Sequence, residues 1–274
     1  MEPNQIVYVI TGGTGGMGLA IAKRFVGKGI VLLADVFADR LADTKKQYEA
    51  QNDNVETMVC DISIEDQVQF LAEKAKSLGR LGAIIHTAGL SPVLASAERI
   101  LQVNAIGTAL ILDAFYEIAE TGSVAIVIAS NSGYLVPSTP EVDKILDNPL
   151  DANFVEAMME VVKGNPGIAY GLSKHGNQRM VAKQAQKWGK KGARIVSVSP
   201  GLIKTLMGNK EAENPHTDQI MRQMNPLGRY GEPDEIALPV EFLISPAASY
   251  INGTDLLIDG GVTAVLKNLP QGSI

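Results

Sequence analysis

Ile6-Val7-Tyr8-Val9-Ile10 runs straight into Thr11-Gly12-Gly13-Thr14-Gly15-Gly16-Met17-Gly18. An apolar strand leads into a glycine-dense turn, and a segment of helical spacing, Met17–Gly27, follows it. Glycine lets a chain turn tightly and lets its backbone approach a ligand closely. Gly13, Gly15 and Gly18 match the G-x-G-x-x-G spacing in which a pyrophosphate rests on a helix N-terminus. That spacing alone is weak evidence. Its setting makes it specific: strand before, helix after, and Asp35 at the end of the second apolar run, Ile30–Ala34. A carboxylate there accepts from both ribose hydroxyls of an adenosine and repels a 2′-phosphate. Val36 follows Asp35, so no arginine adjoins it, and NAD is expected over NADP. Arg40 is the nearby cation that argues the other way.

Outward from this turn, short β-branched runs alternate with longer helical patterns. The strand candidates are Ile6–Ile10, Ile30–Ala34, Val55–Cys60, Ala83–His86, Val124–Ala129, Ile195–Ser199 and Leu256–Ile258. Their near-continuous apolarity is that of parallel strands covered on both faces. Helical spacing marks Leu41–Ala50, Glu65–Ser77, Leu101–Ala119 and Ser173–Trp188. Repeated βα units imply right-handed crossovers and a doubly wound α/β sheet between two helical layers. With 274 residues the chain could hold one large α/β domain or two small ones. No Ser- or Gly-rich linker divides it, so a single domain over residues 1–274 is expected.

Composition narrows the function classes. Apolar residues make up 46% and charged residues 20%, which fits a globular chain and excludes disorder. A net charge of −6 offers no basic face for nucleic acid. The single cysteine, Cys60, excludes an intramolecular disulfide and a cysteine-based metal cluster, so no metal is expected. The N-terminus has no basic region followed by an apolar stretch. No apolar run approaches the ~18 residues of a membrane helix. A cytoplasmic protein without membrane attachment is expected.

Two stretches break the βα rhythm. After Val124–Ala129, about forty residues rich in proline (Pro137, Pro140, Pro149, Pro166) intervene before Tyr170, with a helix candidate at Ala152–Val162. A stretch that long inside a compact domain is usually functional or disordered. The insertion is placed at about 137–166. A second irregular stretch, Lys204–Pro226, follows the strand that ends at Ser199. It is the natural lid, closing over a substrate to exclude water.

The second chemical motif is Tyr170-Gly171-Leu172-Ser173-Lys174. Residues four apart on a helix share a face. A cation beside a phenol lowers its pKa toward working pH, where acid/base catalysis is effective. Tyr-x-x-x-Lys alone is common by chance. Here it closes an ordered series: Thr11-Gly12-x-x-x-Gly16-x-Gly18, His86-Thr87-Ala88-Gly89, Val103-Asn104-Ala105-Ile106-Gly107, Ser130, Tyr170-x-x-x-Lys174 and Pro200-Gly201.

On these motifs the sequence resembles the short-chain dehydrogenase/reductase family, from about Gln5 to Gly261. The resemblance implies a Rossmann-type doubly wound parallel sheet, a nicotinamide cofactor and a Ser–Tyr–Lys–Asn set. It implies that Tyr170 is the general acid/base on the substrate oxygen and that Ser130 stabilises charge there. Lys174 would lower the Tyr170 pKa and hold the nicotinamide ribose, and Asn104 would hold a water of the proton relay. It places Gly12, Thr14, Gly16, Met17 and Gly18 on the cofactor, with Asp35 on the ribose and Asp61 and Ile62 at the adenine. Ala88 and Gly89 would line the groove, and Ile203 and Thr205 would meet the carboxamide. It also implies a homodimer or homotetramer.

Two departures from the family pattern stand out. His86-Thr87 replaces the usual Asn-Asn before Ala-Gly, and His86 is expected to be a packed or capping residue. Ser130 and Tyr170 stand 40 positions apart, far more than is usual. Ser130 and Ser132 compete for the serine role. Ser130, which follows the strand directly, is preferred. The long insertion resembles that of the bacterial 3α-hydroxysteroid dehydrogenase/carbonyl reductase branch. That likeness implies an apolar secondary alcohol, such as a hydroxysteroid or bile acid, oxidised reversibly to the ketone. Leu135, Val136, Leu202, Leu206, Met207, Met221 and Met224 are the apolar candidates around it. Two alternatives remain: another small alcohol, polyol or ketone as substrate, or a non-catalytic NAD-sensing protein.

Overall fold

The computed structural model describes residues 5–51, 53–213 and 223–269. Seven strands pair in parallel in one sheet. They are β1 (Ile6–Thr11), β2 (Ile30–Asp35), β3 (Val55–Val59), β4 (Arg80–His86), β5 (Val124–Ile128), β6 (Arg194–Pro200) and β7 (Asp255–Ile258). Their order is β3-β2-β1-β4-β5-β6-β7. The chain winds outward from β1 in one direction to β3, then returns to place β4 on the other flank. Ligands of such sheets bind outside the carboxyl ends of the strands at this switch point. Thr11 and His86 end β1 and β4 in register there.

Burial follows position in the sheet. Every residue of β2 and β5 is buried, while the edge strands β3 and β7 are largely half-exposed. Continuous cover on both faces therefore holds for the inner strands and fails at the margins, where no further strand protects one flank.

Helices cover both faces. They are α1 (Gly16–Phe25), α2 (Ala38–Glu49), α3 (Glu65–Leu78), α4 (Ala97–Leu101) and α5 (Thr108–Ile118), then α6 (Ser132–Leu135), α7 (Pro140–Leu146), α8 (Phe154–Val162), α9 (Pro166–Lys190) and α10 (Leu206–Ala212). Two more span Asp234–Ile244 and Val262–Lys267. On one face Val68, Leu71, Phe115, Val181 and Trp188 pack against the sheet. On the other, Ile21, Phe25, Ile236 and Val240 do so.

Two helices depart from the sequence reading. The helix expected over Leu101–Ala119 starts earlier, at Ala97, and a π-helical turn, Gln102–Gly107, splits it. Thr108 Oγ1 donates to the Asn104 carbonyl (2.7 Å), so a side chain enters the helix ladder and widens the turn. The helix of Tyr170 and Lys174, expected from Ser173, begins at Pro166. Asn165 Oδ1 accepts from Gly167 N (2.9 Å) and Ile168 N (3.1 Å), and Pro166 sits at the first helical position. Asparagine cap followed by proline is a readable start signal.

The insertion folds as α7 and α8 and builds a third core of its own. Leu146, Phe154, Met158 and Val162 pack with Ile100 and Leu101 of α4 and with Ala169 and Leu172 of α9. Ion pairs fasten it further. Arg179 on α9 reaches Asp143 (2.7 Å) and Asp147 (2.8 Å), Lys183 pairs with Asp147, and His175 Nε2 meets Asp143 Oδ1 at 3.1 Å. The stretch that interrupts the βα pattern is thus moored to the helix that carries Tyr170 and Lys174. Of the expected lid, residues 214–222, with His216 and Met221, lie outside the described residues.

Candidate active site

The glycine loop lies at the switch point. Gly12 has φ +66, and a Cβ there would sit 2.8 Å from Ala88 N of the neighbouring β4 end. A Cβ on Gly18 would collide with the Gly12 carbonyl. One on Gly16 would lie 2.9 Å from Thr205 Cγ2, so Thr205 folds over the loop from the far side. Helix α1 starts at Gly16 with no side-chain cap on its first N–H groups. Backbone donors without side chains in the way are what a phosphate needs. The loop therefore fits a dinucleotide.

Asp35 is buried at the end of β2, and its carboxylate is already at work. Oδ2 accepts from Thr14 N (3.0 Å) and Thr14 Oγ1 (2.6 Å), and Oδ1 accepts from Val36 N (2.8 Å). It ties the glycine loop to β2 and keeps acceptor capacity on Oδ1. Arg40 stacks on the Phe37 ring at 4.3 Å. Asp61 is also engaged. Ser63 donates to Oδ1 through N (2.9 Å) and Oγ (2.6 Å), and Arg99 donates to Oδ2 (2.7 Å). Burial opposes its charge. The Ser63 hydrogen bonds and the Arg99 guanidinium outweigh that and hold the carboxyl below its ordinary value. Arg99 had no signal in the sequence reading. Ile62 is buried against Gly107 of the π-helical turn, and Met17 is half-buried against the core. The Ile203 side chain packs into the core beside Gly231, and its carbonyl accepts from Thr205 N (2.7 Å).

Two of the expected catalytic residues, Asn104 and Lys174, meet beside Gly89. A Cβ on Gly89 would be 3.3 Å from Asn104 Oδ1 and 3.5 Å from Lys174 Nζ. Lys174 is buried and donates to the Ile128 carbonyl at the end of β5 (2.9 Å). Its nitrogen lies 5.8 Å from the Tyr170 ring centroid. Burial pushes the Lys174 ammonium down to about 8. Asn104 Oδ1 accepts from Leu90 N (2.8 Å), and Nδ2 donates to Leu90 O (2.9 Å) and to Ser173 Oγ (3.4 Å). Its side chain is thereby spent on joining the loop after β4 to α9.

Ser130 and Ser132 are not separate candidates in space. Their Oγ atoms are 2.7 Å apart, and Ser130 Oγ also accepts from Ser132 N (3.2 Å). Ser130 is buried at the strand end, and Ser132 opens α6.

His86 is a buried bridge. Its Nδ1 is 2.7 Å from Thr11 Oγ1 and its Nε2 is 3.0 Å from Thr108 Oγ1. The Thr108 hydroxyl proton is already given to Asn104 O, so His86 Nε2 must donate and Nδ1 must accept. Burial and the Lys174 charge push the imidazole down to about 3. Among the described residues no group of His, Cys, Asp or Glu could hold a metal, and no helix is long and apolar enough to cross a membrane.

A parallel sheet with a glycine cradle at its switch point defines a nucleotide-binding α/β protein. Residues 6–140 match the family model described as short chain dehydrogenase, and residues 153–263 match that described as enoyl-(acyl carrier protein) reductase. The unmatched stretch between them falls in the insertion. A short-chain dehydrogenase/reductase of Alternaria brassicicola is 35% identical, with 97% of this chain and 98% of that one covered. A D-threitol dehydrogenase of Mycolicibacterium smegmatis is 30% identical over 94% of this chain and 92% of its own. The crystal structure of a levodione reductase superposes with a TM-score of 0.75 at 29% identity, covering 95% of this chain and 98% of that one. The chain belongs to the short-chain dehydrogenase/reductase family of oxidoreductases, which bind a nicotinamide cofactor and act on small molecules.

Proposed function

We propose that this chain is an NAD-dependent dehydrogenase that reversibly oxidises an apolar secondary alcohol to its ketone. The observation that carries the reading is Lys174: a buried amine, anchored on Ile128 O, one helical turn from Tyr170 and against Gly89 of the cofactor groove. Only a site that uses a cation has reason to hold one there, since burying it is costly.

In this reading Gly12, Thr14, Gly16, Met17 and Gly18 receive the pyrophosphate. Asp35 takes the adenosine ribose with the free capacity of Oδ1. Asp61 and Ile62 flank the adenine, Ala88 and Gly89 line the groove, and Ile203 and Thr205 meet the carboxamide. Lys174 and Tyr170 hold the nicotinamide ribose. The nicotinamide, when bound, takes or returns the hydride. Tyr170 takes the hydroxyl proton from the alcohol, or returns it to the ketone, as general acid/base. Ser130 donates to the same oxygen and offsets its developing charge. Asn104 holds a relay water with the second lone pair of its carbonyl, the first being taken by Thr108.

The carboxylate of Asp35 and the neighbouring Val36 support NAD over NADP. Comparing the two cofactors by KM checks this, and a lower KM for NADP overturns it. Exposed Leu135 and Leu206 beside the site support a bulky apolar substrate, with a hydroxysteroid or bile acid as the first class to test. The similarity to a D-threitol dehydrogenase and to a levodione reductase supports a polyol or ketone instead. A steady-state screen of 3-, 7-, 12- and 17-hydroxysteroids, threitol and levodione separates the two. Absence of steroid turnover overturns the first. Tight NAD binding with no turnover of any alcohol would favour a sensor. Exposed Leu238 and Phe242, four apart on Asp234–Ile244, support a homodimer or homotetramer, which light scattering tests.

A further inference from the structure

Tyr170, Lys174 and Gln178 are spaced by four and form one stripe along α9. Lys174 grips the Ile128 carbonyl, and Gln178 Nε2 donates to the Ser130 carbonyl at 3.1 Å. The helix is thus fastened to the end of β5 at two points. One bond would leave a hinge, whereas two fix both the height and the rotation of the helix against that strand end.

The orientation of the Gln178 amide is set by its partners. A backbone carbonyl can only accept, so the nitrogen must face Ser130. Its second proton goes to Ser199 Oγ (2.9 Å), which donates in turn to Asp255 Oδ1 (2.9 Å). Tyr134 Oη donates to Asp255 Oδ2 (2.8 Å). Every donor in this chain points toward one carboxylate, and bonds to an ionised acceptor are the strong ones. Desolvation and the Asp255 carboxylate both push the Tyr134 phenol up, so it stays a donor. The turn Ser130–Leu135 is therefore held at both ends. The fit is close: a Cβ on Gly133 would lie 2.8 Å from Gln178 Oε1 and from His175 N.

We propose that Gln178 is a positioning residue that sets the Ser130 hydroxyl against Tyr170 by gripping the Ser130 carbonyl, with Ser199 and Asp255 as its anchor. This rests on the assignment of Ser130 and Tyr170 in the proposed function. The test is Gln178→Met in the full-length protein, which keeps the side-chain volume and removes both donors. Displacement of a reacting group by a fraction of an ångström gives an expected fall in kcat of about tenfold, with the KM for NAD unchanged. In a Ser130→Ala background the same substitution should leave the residual rate unchanged, because the group it positions is gone. Backbone amide exchange over 129–135 should quicken while that over 30–35 does not. An additive loss in the Ser130→Ala background, or unaltered exchange over 129–135, overturns the proposal. If the wild-type protein turns over no alcohol, the functional reading falls, and amide exchange still decides the role of Gln178. Should Gln178→Met not fold, Ser199→Ala replaces it: faster exchange over 129–135 supports the anchor, and none refutes it.

Discussion

In the proposed function Asp35 has two tasks for one carboxylate: it pins Thr14 of the glycine loop through two hydrogen bonds and offers the remaining capacity of Oδ1 to a ribose. Thr14→Val keeps the shape and loses the hydroxyl bond. The expected result is a KM for NAD raised about fivefold to tenfold, the worth of one charge-assisted bond, with kcat little changed. Steady-state kinetics at saturating alcohol check it. Tyr170→Phe removes the proton donor alone and should lower kcat by ~10² to 10⁴ while NAD binding, read by fluorescence titration, persists. At this scale the sequence reading picked out candidate residues and missed some of the partners the structure gives them. Tyr-x-x-x-Lys and the Asp35 position are local patterns. Arg99 on Asp61 and Gln178 on Ser130 join residues 38 and 48 positions apart, and no local pattern marks such pairs.

Helix α9 carries the proposed acid/base pair Tyr170 and Lys174, and its start is where an element can be tested. Asn165 caps it by accepting from Gly167 and Ile168. Asn165→Ala should destabilise the protein by about 1 kcal/mol, read as a lower urea midpoint at unchanged slope. At the end of α8, Lys163 holds a left-handed conformation (φ 48), immediately before Gly164. Lys163→Gly should raise stability by up to about 1 kcal/mol by relieving that strain. A fall in the midpoint would contradict this. The strands were legible because buried parallel strands are nearly all apolar. The π-helical turn was not, since Gln102–Gly107 reads as ordinary helix until Thr108 and Leu90 draw Asn104 out of register. Trp188 stands among Lys187, Lys190 and Lys191 in the sequence yet is wholly buried, its Nε1 donating to Gln184 (3.1 Å) and Tyr116 of α5 lying edge-on to its ring.

Across the whole molecule, His86 couples the site to global stability. An unfolded histidine titrates near 6.5, whereas the buried His86 is pushed down to about 3. Between these values the unfolded chain binds a proton that the folded one refuses. The stability present above pH 6.5 is therefore lost as the pH falls toward 3. His86→Asn should flatten the acid limb by about 2 to 3 kcal/mol between pH 6.5 and 4.5, measured as urea midpoints at the two pH values. The sequence by itself determined the sheet, the glycine cradle, Asp35 and the Tyr170–Lys174 pair, because each rests on periodicity or spacing within a few residues. Only the tertiary structure decided that the insertion is moored to α9 through Asp143, Asp147 and Arg179. It alone decided that Ser130 and Ser132 are joined through their hydroxyls, and that Asn104 spends its side chain on Leu90 and Ser173. These pairings follow from how neighbouring strand ends and helices meet, a geometry that appears when the sheet closes its faces and leaves no trace in the local order of residues.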